Sequence, residues 1–517
     1  MKKTIFAIAL TVITLKSFAQ AGRLDGSFST DGVHTTDFYN SNEIGNSIAV
    51  QSDGKIIVAG YSFNGSNNDF ALARYNKNGT LDITFSGDGK VTTDFSNNDD
   101  FGNSVAMQAD GKIVVAGYST GTTSDFALSR YNTDGTLDNT FSIDGKLTTD
   151  FSNTDDKAYS IAIQADSKIV VVGYSVDSSS DFAIARYNTN GTLDNTFSLD
   201  GINTTDFFYG DDKSFSVAIQ SDGNIVVAGY GTKTNSDFAV ARYNANGMLD
   251  NSFSEDGKTT TDITTSTDIG KSVAIQNDGK IVVGGYGFNT TFDIALARYS
   301  VNGELDNSFS ADGMVTTDFT HSFFGSTNDF GKSLAIQSNG KIVIAVARGN
   351  FNNSNFGLTR YNEDGSLDNL FDDGFEPEGI IVTPVGLNHD EPYFLALQTD
   401  GKILVAGSSN DGSNDNFVVL RYNNDAILSV FDNTEKPNFV VYPNPTNGKL
   451  KILGIETSYI KKDENFEIYN LLGEKIYSTK INSDEYEIDV SNLQNGIYTY
   501  VIKTTNGFLN EKFILNK

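Results

Sequence analysis

The sequence predicts an all-β chain, a seven-bladed β-propeller followed by a small Ig-like β-sandwich, and three observations carry that prediction. An arginine-tyrosine pair recurs at Arg74-Tyr75, Arg130-Tyr131, Arg186-Tyr187, Arg242-Tyr243, Arg298-Tyr299, Arg360-Tyr361 and Arg421-Tyr422, with spacings of 56, 56, 56, 56, 62 and 61 residues. A fixed period near fifty residues marks a repeat architecture. The 49 Gly against 6 Pro, with Asn, Asp, Ser and Thr between short apolar runs, read as many short strands joined by turns. The period then stops after Asp432, and a differently patterned segment follows.

The third copy shows the unit. Lys146–Phe151 (KLTTDF) is a short β-rich run, Ser160–Gln164 (SIAIQ) alternates, Lys168–Tyr174 (KIVVVGY) is almost continuously apolar, and Asp181–Tyr187 (DFAIARY) alternates again. The continuously apolar strand must be covered on both faces, which a four-stranded sheet packed between two like sheets supplies. SIAIQ passes to KIVVVGY through a tight turn, Asp-Gly in most copies, such as Asp53-Gly54, Asp110-Gly111, Asp222-Gly223, Asp278-Gly279 and Asp400-Gly401. Gly accepts positive φ there at no steric cost. The TTDF-to-SIAIQ and GY-to-DF connections are longer and polar, and alternate strand directions place both on one face. Seven such sheets close economically into a ring. The segment Leu24-Asp25-Gly26-Ser27-Phe28 to Phe38 precedes the first full unit, and only a degraded copy, Ile427–Phe431, follows the last, so the N-terminal segment is expected to seal the ring.

The predicted boundaries are a signal peptide at 1–19, the propeller at 20–432, a linker at 433–439 (NTEKPN within it) and the sandwich at 440–517. Lys2 and Lys3, the apolar run Ile5–Leu15 and Ser17-Phe18-Ala19 give the first of these its charged, apolar and cleavage regions. No other apolar run approaches the length of a transmembrane span. A formal charge of −29 with no clustered Lys and Arg argues against nucleic acid, and zero Cys excludes thiolate chemistry.

The pattern N-G-x-L-D-x-x-F-S-x-D-G, T-T-D-F, S-x-A-x-Q-x-D-G-K-I-V-V-A-G-Y, D-F-A-x-x-R-Y-N resembles the bacterial delta-60 repeat, a β-propeller family of unknown function, over about residues 24–431. That resemblance implies the fold and carries over no catalytic residue. Pro443, Asn444, Pro445, Gly448, Leu493, Gly496, Tyr498 and Lys512 resemble the motif of the type A C-terminal sorting domain of the type IX secretion system. This implies export by that machinery, removal of the domain, and an extracellular or outer-membrane surface location.

No residue is assigned a catalytic role. Gly117-Tyr118-Ser119-Thr120-Gly121 matches a nucleophile elbow, but a strand follows where the elbow needs a helix, and His34, His321 and His389 share no repeat position. The Arg of R-Y and the Asp of L-D-x-x-F, Asp138, Asp194 and Asp250 among them, read as interblade or turn-fixing devices. Glu43, Asp99-Asp100, Asp155-Asp156, Asp211-Asp212, Asp268, Asp329 and Asp390-Glu391 are expected to ring one mouth of the propeller. Asp99, Asp100, Asp155, Asp156, Asp211 and Asp212 are the candidate metal ligands, with calcium the one cofactor such carboxylates suit, although no loop of EF-hand spacing is present. The ring reads also as a face for a polar surface ligand or, more simply, as a solvated rim that keeps a secreted protein soluble. The insertion Thr320–Asp329 adds Phe323 and Phe324 as exposed-aromatic candidates. Together these features point to a secreted binding module for an extracellular glycan or protein. The alternatives are a polysaccharide-active enzyme on the same scaffold and a passive surface or adhesion protein.

Overall fold

The computed structural model describes residues 21–517 apart from 320–326, 351–352, 372–378, 425–439, 443–445, 454–464, 471–474, 481–484 and 505–506. The signal-peptide segment, Ile427–Phe431 and the linker therefore lie outside the described residues. The chain divides into two units, Met1–Asp425 and Ala426–Lys517.

The first unit is seven four-stranded antiparallel sheets. In blade 1 the strands are β2 (Glu43–Val50), β3 (Ile56–Phe63), β4 (Asn68–Tyr75) and β5 (Lys90–Thr93), paired in that order. Contacts between neighbouring blades run through β2 and its equivalents, so the SIAIQ strand is innermost and TTDF outermost. The seventh blade takes three strands from Asp390–Tyr422 and its outermost from the start of the chain, β1 (Val33–Thr36), whose Val33 pairs with Leu420 and Thr36 with Phe417.

The two faces of each central strand enter different core layers. Ile57 and Ala59 pack with Val105, Ile113 and Val115 of blade 2, while Ile56 and Val58 pack with Leu404, Ala406 and Val419 of blade 7. This is why KIIVAGY lacks polar alternation, and burying each Val or Ile contributes about 1.5–3 kcal/mol.

Polar ties repeat at every junction. The Tyr of each R-Y pair meets the outer-strand Thr of the preceding blade, as in Tyr131 to Thr93 and Tyr187 to Thr149 at 2.8 Å, and Tyr75 closes the circle on Thr36 of β1 at 2.8 Å. The Arg donates forward to a turn carbonyl of the next blade, as in Arg186 Nη1 to Ala245 O and Arg242 Nη1 to Val301 O, both 2.6 Å. Its Nε meets the L-D-x-x-F aspartate, Arg186 to Asp194 at 2.7 Å and Arg298 to Asp306 at 2.8 Å. In the last blade that aspartate comes from the N-terminal segment: Asp25 pairs with Arg421 at 2.8 Å and Lys402 at 2.7 Å.

Gly117 lies across from a β-bulge in the inner strand of blade 2, and a Cβ there would stand 1.9 Å from the Phe101 carbonyl oxygen. Blade 6, whose first three strands are each nine residues long rather than eight, carries Val346 at this position. Gly117→Ala is expected to destabilise the protein by about 1–3 kcal/mol, as overpacking does, measured as a lower urea midpoint.

The second unit packs a three-stranded sheet, Val440–Tyr442, Lys449–Leu453 and Glu485–Asp489, with a four-stranded one, Lys475–Lys480, Asn465–Tyr469, Gly496–Thr504 and Gly507–Leu515. Leu450, Phe466, Ile468, Ile488, Tyr500 and Phe513 form its core.

Candidate functional site

Each inner strand carries a bulge at one repeat position. In blade 3, Ala158 pairs with Gly173 and Ser160 with Val172, which leaves Tyr159 between them without a ladder partner. The same shift leaves out Asn103, Phe215, Lys271, Lys332 and Tyr393, and in blade 1 Gly45 and Asn46. A bulge re-aims the extra residue. Asn46, Asn103, Tyr159, Phe215, Lys271, Lys332 and Tyr393 all line one cavity of about 250 Å³, with Ser216, Ser272 and Phe394.

Local interactions order this ring. Asn46 Nδ2 donates to Gly102 O at 2.9 Å, and Asn103 Nδ2 to Ala158 O at 2.8 Å. Tyr159 meets the edge of Phe215 with ring centroids 5.2 Å apart, and Lys271 Nζ stands 3.5 Å from the Phe215 centroid, a cation–π contact. Lys332 pairs with Glu391, which also faces His389 Nε2 at 3.6 Å. Lys271 has no ion-pair partner among the described residues, and burial, then the charges of Lys332 and Lys213, bring its pKa down to about 7. Burial pushes the Tyr159 and Tyr393 hydroxyls up. The pocket thus offers aromatic faces, amide donors and an unpaired amine within a strongly acidic protein.

Sequence reasoning missed this ring. Its signal was a column that varies, Asn, Asn, Tyr, Phe, Lys, Lys, Tyr, just before a Ser kept in the first six blades. The strand's second position, Ile, Phe, Lys, Lys, Ile, Phe, Glu, varies as much and does not line the cavity, so variation alone does not set the column apart from its neighbours.

The candidate metal ligands separate within each pair. The two sets of longer loops do share one face, since Ser124 N donates to Asp155 Oδ1 at 2.9 Å and Ser180 N to Asp211 Oδ1 at 3.0 Å; Asp99 likewise accepts from Asn68 N at 2.8 Å. Asp100, Asp156 and Asp212, with Glu43, Asp268, Asp329 and Asp390, are instead almost wholly buried. These seven therefore do not line an exposed mouth, which corrects the expected rim: each sits where its carboxylate caps a neighbouring loop. Asp100 Oδ2 accepts from Phe95 N, Asp156 Oδ2 from Phe151 N and Asp212 Oδ2 from Phe207 N, all at 2.7 Å. Burial and neighbouring carboxylates raise these three to about 6. Each joins an Asp of D-F-A and an Asp of T-T-D-F: Asp69, Asp94 and Asp100 at the first junction, Asp125, Asp150 and Asp156 at the second, Asp181, Asp206 and Asp212 at the third, each set offering oxygens within 4.8 Å of one another.

Ser119 lies within a strand opposite Asp100, with no elbow around it. His34 Nδ1 meets Ser29 at 2.9 Å and His389 Nδ1 meets Ser354 at 2.8 Å. His321, Phe323 and Phe324 fall outside the described residues, as do Pro443, Asn444 and Pro445. Gly448 turns the chain at φ 131°, Leu493 packs on the second unit's core, Gly496 opens a strand in which Tyr498 donates to Gln494 O at 2.7 Å, and Lys512 lies on the last strand.

Family models match in two places. A model described as a domain of unknown function (DUF5122) β-propeller matches residues 51–85, 108–141, 164–197, 220–253, 276–309, 337–371 and 398–425, and a secretion system C-terminal sorting domain matches 440–516. No curated protein matches the chain. Among solved structures, the chain is similar to a catalytically inactive virginiamycin B lyase from Staphylococcus aureus with quinupristin (11% identity, 75% of this chain and 98% of that one, TM-score 0.42). It is also similar to a polysaccharide lyase of family PL25, an ulvan lyase (12%, 76% and 96%, TM-score 0.44), and to Chaetomium thermophilum Sqt1 bound to the N-terminus of ribosomal protein L10 (11%, 75% and 98%, TM-score 0.42). Likenesses this distant carry nothing about activity. Among the described residues no helix is long and apolar enough to cross a membrane. The sorting domain makes the protein a type IX secretion substrate, secreted or held at the cell surface, and the seven matched repeats make the chain a member of the DUF5122 β-propeller family.

Proposed function

We propose that the protein is an extracellular binding module whose axial pocket takes a saccharide bearing a carboxylate or sulfate. The observation that carries this reading is the bulge ring: each of the seven blades aims one residue into the shared cavity, and that residue changes around the ring as Asn, Asn, Tyr, Phe, Lys, Lys and Tyr. Aromatic faces stack on sugar rings, amides bond hydroxyls, and an ammonium without a partner suits an anionic substituent. Lys271 supports a second reading, because an amine near neutral pKa accepts protons and serves as a general base.

The test is an array of neutral, uronate-bearing and sulfated glycans, paired with a degradation panel on the same ligands. Retention of acidic glycans, weakened at least tenfold by Lys271→Ala and unchanged by Asp134→Asn on the exposed turn, supports binding. Product formation that Lys271→Ala abolishes supports the catalytic reading instead. Binding indifferent to both Lys271→Ala and Tyr159→Ala removes the pocket from either.

A further inference from the structure

The aspartate sets at the blade junctions have a composition that the pocket does not explain. Three carboxylates meet at each of the first five junctions, the last two of these being Asp237, Asp262 and Asp268, and Asp293, Asp318 and Asp329. At the first junction, Asp69 accepts from Asn64 Nδ2 at 2.8 Å and Asn67 Nδ2 at 3.3 Å, and Asp94 Oδ1 from Asn97 N at 2.6 Å. Among the described residues no ammonium or guanidinium is paired with this trio; Lys146 Nζ goes to the backbone oxygen of Asp94, at 2.8 Å. Asp100 and Asp156 are wholly buried, and their Oδ1 atoms accept no hydrogen bond although each carboxyl faces a cross-strand serine, Ser119 or Ser175. Asp181 Oδ1, in the third set, is likewise buried and without a partner.

The fifth junction differs in one residue. Arg348 occupies the position that holds Ser119 in blade 2, Ser175 in blade 3, Gly231 in blade 4 and Gly287 in blade 5, and it pairs across the strands with Asp329. Burial pushes the Asp329 carboxyl up to about 7, the Phe319 N–H and the Arg348 charge opposing that rise. The sixth junction replaces two acids, leaving Asn355, Pro384 and Asp390, and the seventh replaces one, with Asn416, Asp37 and Glu43. Across the ring, three acids stand together either beside an arginine or with no cationic side chain paired to them.

We infer that each of the first two junctions binds one divalent cation between its three aspartates, and that calcium is the ion. At the third and fourth, both oxygens of Asp212 and of Asp268 already accept hydrogen bonds, from Phe207 N and Thr232 N and from Ile263 N, Thr264 N and Thr264 Oγ1. Oxygens bound to a single Ca²⁺ at 2.3–2.6 Å are at most about 5 Å apart, which the 4.8 Å limit of each set meets. All the ligands offered are hard oxygens, and calcium tolerates the irregular geometry and mixed denticity of such a set better than magnesium does. Asp94 is half-buried and Asp150 is exposed, so an ion enters from solvent. The bond of Asp100 Oδ2 to Phe95 N leaves Oδ1 for the metal, and each site joins two blades: Asp69 and Asp94 come from blade 1 and Asp100 from blade 2.

Chelator-treated full-length protein, shown folded by circular dichroism, is titrated calorimetrically with calcium chloride and separately with magnesium chloride. The expected result is about two calcium ions per chain, a raised melting temperature, and weaker binding of magnesium. Asp100→Asn and Asp156→Asn each remove one ion, and so does Asp150→Asn at the exposed ligand of the second set. No heat and no thermal shift at millimolar calcium, or a stoichiometry that Asp100→Asn leaves unchanged, overturns the inference. If the variants at buried Asp100 and Asp156 do not fold, Asp150→Asn decides: a loss of one ion supports the sites and an unchanged count overturns them.

Discussion

Deletion of residues 21–38 is expected to abolish cooperative folding of the propeller. The segment supplies the outer strand of the seventh blade, the Leu24 bridge to Tyr422, the Thr36 partner of buried Tyr75, and Asp25, the carboxylate of both Arg421 and Lys402. Without it the strand Asp415–Tyr422 becomes an exposed edge, and Arg421 is left as a nearly buried charge with no counterion, a defect costing about 3–5 kcal/mol by itself. Gly22 N already bonds Asn423 O at 2.8 Å, so a circular permutant that appends residues 21–42 after Asn424 should refold. A single thermal transition in the permutant and none in the deletion is the expected pair of results. A deletion variant that melts normally would refute the closure.

Arg242→Met is expected to cost about 3 kcal/mol, the lower end of the range for breaking a buried ion pair. Its guanidinium meets Asp250 at 2.8 Å, Val301 O at 2.6 Å and Ser252 Oγ at 2.9 Å, and covers Phe253 at 4.9 Å. Asp194 in the preceding blade keeps Lys168 at 2.9 Å if its arginine is lost, whereas blade 4 carries Asn224 where that lysine stands and Asp250 keeps no cation. Asp250 is 18% exposed, which lets water relieve part of the cost. Adding Asp250→Asn should recover some of the stability, because a neutral amide needs no counterion; urea midpoints of the single and double variants measure both effects.

These pairs also set the acid limit. Against the burial that opposes them, Lys402, Ser27 and Arg421 hold Asp25, and Ser308, Lys280 and Arg298 hold Asp306, down at about 2. The folded carboxyls thus bind fewer protons than the unfolded ones between about pH 4 and pH 2, and stability falls as pH falls through that window. Urea midpoints should be insensitive to this set above about pH 5 and drop steeply below pH 4.

The ring was legible because its signals are local and sevenfold: an apolar strand with no polar face, an Asp-Gly turn before it, and a leading fragment that completes the last copy. The order of strands within a blade was not. SIAIQ and DFAIARY both alternate, and only the crowding of inner strands at the axis makes the first the inner one. The bulge was hidden for a related reason: Gly117 reads as a flexible residue, and its cause, the Phe101 carbonyl 1.9 Å from where a Cβ would stand, lies fifteen or so residues away across the ladder. The acidic loops were found but misassigned, since Asp99-Asp100 carries no mark in sequence that one side chain turns outward and the other inward.

A residue left out of the ladder can be exchanged without breaking a ladder bond of its own sheet, and this chain holds seven such residues around one cavity, of which Asn46 and Asn103 also tie neighbouring inner strands. On the binding reading proposed above, specificity and folding are written largely in separate letters, and a combinatorial library at these positions would be a source of engineered receptors.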